Sequence, residues 1–128
     1  MIVVDTSVWI EAHRRPSGAT AAALNSLLDA DEVALALPVR LELLAGVSRR
    51  DRAALARGLS ALPVLRPSPD TWTQIERWVP MAADKGKRFG LSDWLIAALA
   101  HEIDALVWSL DRDFAELESL RIARRYSI

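Results

Sequence analysis

The sequence predicts an α/β protein: a mainly parallel sheet covered by helices. Two observations carry this reading. Short apolar runs (Ile2 to Val4, Val33 to Leu37, Ala105 to Ser109) alternate with longer stretches of helical periodicity, the pattern of parallel strands joined by helical crossovers. Acidic residues directly follow the first and the last of these runs, Asp5 after one and Asp111 and Asp113 after the other, and in open α/β sheets functional sites lie beyond the carboxyl ends of strands.

The elements follow in order. Ile2 to Val4 reads as a short buried strand. Ser7 to His13 forms a first helix, capped by Ser7 or Thr6. Arg14 to Gly18, with its Pro and Gly, is a loop. Thr20 to Ala30 places Leu24, Leu27 and Leu28 at helical spacing. Val33 to Leu37 is the second strand. Pro38 suits the first position of a helix that continues over Val39 to Ala45 and stops at Gly46. Asp51 to Leu59 is a helix rich in Ala and Arg, and Pro63 to Leu65 is a short strand or extended connection. Pro69 to Ala83 is a helix turning Trp72, Ile75 and Val79 toward the core, kinked or ended by Pro80. Lys85 to Gly90 is a basic loop. Ser92 caps a strongly apolar helix that runs to His101. Ala105 to Ser109 is the third clear strand, Asp113 to Leu117 a short helix, and Leu120 to Ala123 an edge strand.

Composition bounds the function. The chain has 128 residues, 52% hydrophobic and 26% charged, which fits one globular domain spanning 1–128 with a real core. It has no cysteine, which excludes a disulfide framework, a thiolate metal site and a thiol nucleophile and fits a reducing cytoplasm. The net charge is −1, so overall charge does not mark a nucleic-acid binder; local basic clusters remain available. There is no signal-peptide pattern and no apolar run of membrane-spanning length, so no membrane partner is expected.

Four acidic places stand out: Asp5 in VVDTS, Glu42 in PVRLELLAG, Asp93 in GLSDWLIAALA, and Asp111 with Asp113 in SLDRDF. Each has a structural explanation. Asp5 can cap the helix after it. Glu42 can be an exposed residue of an amphipathic helix, or can point to where that helix meets the sheet end. Asp93 suits the first turn of a helix, and Asp111 and Asp113 can form a turn and cap. Gathered at one sheet edge, however, these carboxylates would repel one another and raise one another's pKa values. A hard divalent cation such as Mg²⁺ or Mn²⁺ resolves this, because it takes oxygen ligands and keeps several waters that further acids can hold. Such a cation suits phosphodiester hydrolysis, polarising a phosphoryl oxygen and lowering the pKa of a bound water.

These four stretches, in this order and across nearly the whole chain, resemble the PIN domain family, and more narrowly the VapC toxins of bacterial type II toxin–antitoxin pairs. The resemblance implies a three-layer α/β/α sandwich and a Mg²⁺- or Mn²⁺-dependent endoribonuclease cutting transfer or ribosomal RNA. It also implies inhibition by a VapB-type antitoxin and a toxin homodimer. It implies Asp5 and Asp93 as main metal ligands, Glu42 as a third acid acting directly or through water, and Asp111 near the metal ahead of Asp113, which belongs to an Asp-Phe pair. Thr6 or Ser7 would hydrogen-bond a water on the metal or the scissile phosphate, and Ser109 stands where Thr is usual. The expected products carry a 3′-hydroxyl and a 5′-phosphate. No His is needed, and neither His13 nor His101 falls in the motifs.

Arg14-Arg15, Arg49, Arg50 and Arg52, and Lys85, Lys87 and Arg88 each lie beside a motif, where they can meet phosphates or simply be solvated. Arg40 is a candidate partner for a carboxylate. Of five tryptophans, Trp72, Trp94 and Trp108 read as core, and Trp9 and Trp78 as candidates for a dimer or antitoxin surface. Two other readings are less well matched. A phosphoacceptor domain would need a lysine at the end of a late strand, where Ser109-Leu110-Asp111 stands, and a phosphatase with an Asp nucleophile would want a second Asp at position 7. A PIN-like module that binds RNA or protein without cutting is the remaining alternative; intact acids at every motif position argue against it.

Overall fold

A computed structural model describes residues 1–128. Four strands, β1 (Ile2–Val4), β2 (Val33–Ala36), β3 (Val64–Leu65) and β4 (Leu106–Trp108), form one sheet in the order β3-β2-β1-β4. Every pairing is parallel: Ile2 faces Val33 and Leu106, Val4 faces Trp108, and Leu35 faces Val64. Seven helices connect them: α1 (Thr6–Arg14), α2 (Ala19–Asp29), α3 (Leu37–Gly46), α4 (Arg52–Leu59), α5 (Pro69–Asp84), α6 (Leu91–Glu102) and α7 (Asp113–Ser119). No helix is long and apolar enough to cross a membrane.

The layers follow from strand alternation. Ile2, Val4, Val33 and Trp108 point to one face and pack with Val8 of α1 and Leu24 of α2. Val3, Ala34 and Val107 point to the other and join the larger core with Val39, Ile75, Trp78, Phe114 and the buried run Trp94 to Ala100 of α6. A sheet buried on both faces explains why its strands read as continuous apolar runs. The result is the α/β/α sandwich with a mainly parallel sheet.

The connections determine where a site can form. From β1 the chain steps outward to β2 and β3, then crosses back to lay β4 on the other side of β1. The strand order therefore reverses between β1 and β4, and the crevice beyond their carboxyl ends is the switch point of the fold.

Several helix ends share one device. Asp31, Asp104, Arg121 and Gly86 have φ of 55°, 54°, 61° and 73°. The following residue's N–H reaches back to close each helix: Glu32 to Leu27, Ala105 to Ala100, Ile122 to Leu117 and Lys87 to Ala82. These are left-handed helix stops, three of them made without glycine. The stop at Arg121 overturns the edge strand expected at Leu120 to Ala123. Those residues turn away from α7, and the chain reaches the sheet only at Arg125, which bridges Val107.

Other boundaries differ from expectation. Leu37 belongs to α3, because the backbone turns helical one residue before Pro38. The helix α5 continues through Pro80 to Asp84. Pro80 and Glu76 are both exposed, so the carbonyl deprived of its N–H faces water. The residue flanking α1 is Asp5, not Ser7 or Thr6, and the residue flanking α6 is Gly90, not Ser92; neither makes a side-chain cap bond. On α5, Trp72 and Val79 are 43% and 41% exposed, whereas Trp78 is buried and lies against Trp94 and His101 at ring distances of 6.4 and 5.3 Å. The inward face is thus set by Thr71, Ile75, Trp78 and Ala82, and Trp78 is core, not interface.

Candidate metal centre

Asp5 leaves the end of β1 and is 8% exposed. An apolar three-residue strand delivers it to the crevice, and its backbone carbonyl starts α1 by accepting the N–H of Val8. Its Oδ2 accepts two hydroxyls, Ser7 Oγ at 2.8 Å and Ser109 Oγ at 2.7 Å. Those oxygens in turn accept backbone N–H groups, Ser7 from Leu110 at 3.0 Å and Ser109 from Asp111 at 2.9 Å. Both hydroxyl protons are directed at Asp5, so the 3.3 Å contact between Ser7 and Ser109 Oγ brings two oxygens side by side around one carboxylate oxygen. This network ties the end of β1 to the end of β4. It leaves Oδ1 of Asp5 without a hydrogen-bonding partner from the protein.

Asp111 and Asp113 follow β4 and share a tight turn, in which the Asp113 N–H donates to Asp111 Oδ1 at 2.9 Å. Turn formation and exposure of the acids go together here: one oxygen of Asp111 makes the turn. Asp93 enters from the first turn of α6. Carboxylate oxygens of Asp93, Asp111 and Asp113 lie within 4.8 Å of one another. Burial pushes the Asp93 carboxyl up to about 7, helped by its hydrogen bond with Asp113 and by the charges of Asp111, Asp113 and Asp5. A helix N-terminus favours a carboxylate, so the rise shows that burial and like charge prevail over that contribution.

Glu42 stands on α3, exposed, outside the group of three. Its Oε1 accepts Ser92 Oγ at 2.7 Å. This bond joins α3 to the residue directly before Asp93, and sequence reasoning missed it. Ser92 looked like a helix cap, and only the approach of α3 to α6 shows what its hydroxyl does instead.

No lysine or arginine pairs with any of the five acids, although Glu11, Glu32, Asp104, Glu116 and Glu118 each have a cation. Arg40, expected to pair, does not. Arg15 pairs with Glu11 at 3.4 Å and Lys87 with Glu116 at 2.7 Å. The donor set fits a hard cation: every available ligand is oxygen, the acids lack protein counter-charge, and Thr6 Oγ1, one residue after Asp5, is buried with no hydrogen-bond partner. Buried hydroxyls are seldom left so.

Comparison with known proteins agrees with this geometry. The PIN domain model matches residues 2–120. A VapC ribonuclease of Mycobacterium bovis and ribonuclease VapC11 of Mycobacterium tuberculosis are each 29% identical to the chain over 119 residues, covering 89% of both partners. Among solved structures, VapBC2 from Rickettsia felis, bound to a DNA fragment from its promoter, superposes with a TM-score of 0.78 at 21% identity over 98% of each chain. VapC20 of Mycobacterium tuberculosis, described as a sarcin–ricin loop cleaving toxin, gives 0.64 at 18% identity over 91% of this chain and 94% of that one. With the family model spanning almost its full length, the chain belongs to the PIN domain family.

Proposed function

We propose that this chain is the toxin of a type II toxin–antitoxin pair, a Mg²⁺- or Mn²⁺-dependent endoribonuclease held inactive by a cognate VapB-type antitoxin in the cytoplasm. The observation that carries it is the uncompensated acidic centre: Asp93, Asp111 and Asp113 within 4.8 Å, beside a buried Asp5. The names of the relatives, VapC ribonucleases, support the reaction class, and the toxin–antitoxin complexes among the similar folds support the partner. A toxin homodimer belongs to the same reading.

In this assignment Asp5 and Asp93 hold the cation, with Asp111 and Glu42 contributing directly or through water. When bound, the ion supplies Lewis-acid stabilisation of charge on the phosphoryl and leaving oxygens. The protein does the rest. Ser7 and Ser109 fix the orientation of Asp5 and turn its free oxygen toward the crevice. Asp93 gives up the proton it holds near neutrality. Asp113, freed from the hydrogen bond that protonated Asp93 made to it, would accept the proton of the attacking water as general base. Ser92 holds Glu42 at the rim, and Thr6 Oγ1 remains as a donor beside Asp5. Attack in line on phosphorus then breaks the bond to the 3′ oxygen, which takes a proton from solvent, and leaves a 5′-phosphate and a 3′-hydroxyl.

The test is incubation of the purified, antitoxin-free protein with total cellular RNA in Mg²⁺, in Mn²⁺ and in EDTA, beside the Asp5→Asn variant. The expected outcome is cutting that needs the metal and is lost in the folded variant. A folded parent that cuts no RNA with either metal favours a non-catalytic PIN module that binds RNA or protein.

A further inference from the structure

A cleft of about 260 Å³ opens between α5, the 85–90 loop and the start of α6, lined by Val79, Ala83, Lys87, Arg88, Phe89 and Trp94. Val79 and Ala83, one helical turn apart, put an exposed apolar strip on α5 where the amphipathic pattern calls for polar residues. Phe89 stands half-buried against Trp94 in an edge-on contact at 5.2 Å, which fixes the ring as a rigid wall. The rim is cationic. Lys87 is held by Glu116 of α7 at 2.7 Å, which anchors the loop, while Lys85 and Arg88 have no acidic partner. Trp94 follows Asp93 in the first turn of α6, and Glu116, which holds Lys87, lies one helical turn after Asp113 on α7, so the cleft lies on the side of the acidic centre.

We propose that this cleft is a base-binding subsite for single-stranded RNA, taking the base of one nucleotide next to the cleaved bond. The proposal rests on the nuclease reading above. Its chemistry is particular. An apolar slot with an aromatic wall accepts the face of a base, which is how unpaired nucleotides are held. A cationic rim takes the adjoining phosphate and offsets the repulsion that the acids exert on RNA. The volume lies below the ~300–1,000 Å³ of sites for drug-sized ligands, so it suits one planar ring system and not a helix or a duplex.

The test uses three variants of the full chain. Ala83→Phe fills the slot from an exposed position, Ala22→Ser makes a small change on exposed α2 across the sheet, and Arg88→Gln removes the free charge. Two readouts are taken: mapped cleavage ends on total RNA with Mn²⁺, and fluorescence anisotropy with labelled hexa-adenylate, hexa-uridylate and hexa-cytidylate in EDTA. The expected result for Ala83→Phe is binding weakened roughly tenfold, the scale of losing one stacked base, with an altered base preference at one position beside the cut. Ala22→Ser keeps both properties, and Arg88→Gln weakens binding several-fold with the preference unchanged. Folded Ala83→Phe that binds all three oligonucleotides like the parent and cuts at the same ends overturns the subsite. So does a variant that keeps RNA binding and cleavage but escapes its antitoxin, since the cleft then belongs to the protein partner. If the parent cuts nothing, the nuclease reading fails separately, and the anisotropy still decides whether the slot takes a base.

Discussion

Asp5 and Ser109 are 104 residues apart in the chain and 2.7 Å apart in the fold. That one hydrogen bond, with its partner from Ser7, joins the carboxyl ends of β1 and β4 at the point where the strand order reverses. It orients a buried carboxylate whose other oxygen has no protein partner. Asp93, Asp111 and Asp113 form their own group within 4.8 Å, and the charge of Asp5 acts on Asp93 from beside it.

Ser109→Ala removes a donor from a buried carboxylate and an acceptor from the Asp111 N–H. The expected loss of stability is about 1–3 kcal/mol, read as a lower urea midpoint. Ser109→Thr keeps the hydroxyl and is expected to stay close to the parent. Equal destabilisation by Ala and Thr would show that the hydroxyl is not what matters there.

The raised pKa of Asp93 predicts a pH effect of definite sign. Below its ordinary value of 3.8 the carboxyl is protonated in both folded and unfolded chains. Between 3.8 and about 7 the unfolded chain releases this proton and the folded one keeps it, so the contribution of this group falls as pH rises through that window and is level above it. In EDTA, the melting temperature of Asp93→Asn minus that of the parent should therefore grow from about pH 4 to about pH 7. A divalent cation replaces the proton, so Mg²⁺ should raise the parent's melting temperature more at about pH 8 than at about pH 5. A difference that is flat with pH contradicts this assignment.

The two tryptophans of α5 separate core from surface. Trp78→Ala opens a hole beside Trp94 and should cost about 3–5 kcal/mol. Trp72→Ala, on the exposed face, should stay within about 0.5 kcal/mol of the parent. Urea unfolding of both variants decides it, and comparable losses would mean that α5 is rotated from the orientation described.

The parts of this architecture that the sequence made legible are those where residue type and position speak together. Ile2 to Val4, Val33 to Ala36 and Leu106 to Trp108 are continuous apolar runs because the sheet is covered on both faces. The acids at their ends, Asp5 and Asp111, mark the crevice before any contact is known. What could not be read depended on neighbours distant in the chain. Ser92 looks like a cap until α3 brings Glu42 within 2.7 Å of it. Ser7 reads as a helix cap or a phosphate contact, and Ser109 as a stand-in for Thr, until both meet the same oxygen of Asp5. Trp72 and Trp78 sit on one periodic helix, and a shift of the apolar stripe exchanges which of them is buried. Leu120 to Ala123 has strand-like composition, but the left-handed stop at Arg121 takes it out of the sheet. Pro80 is compatible with an unbroken helix only because that side of α5 faces water.

Calorimetric titration of Mn²⁺ into the antitoxin-free parent and into Asp93→Asn, near neutral pH, tests the central claim most directly, that the acids at the switch point are arranged to hold a cation. The predicted result is saturable binding by the parent, accompanied by proton release from the centre, and binding at least about tenfold weaker in a variant that melts cooperatively. A folded parent that takes up no Mn²⁺, or a variant that binds it as well as the parent, would contradict the account.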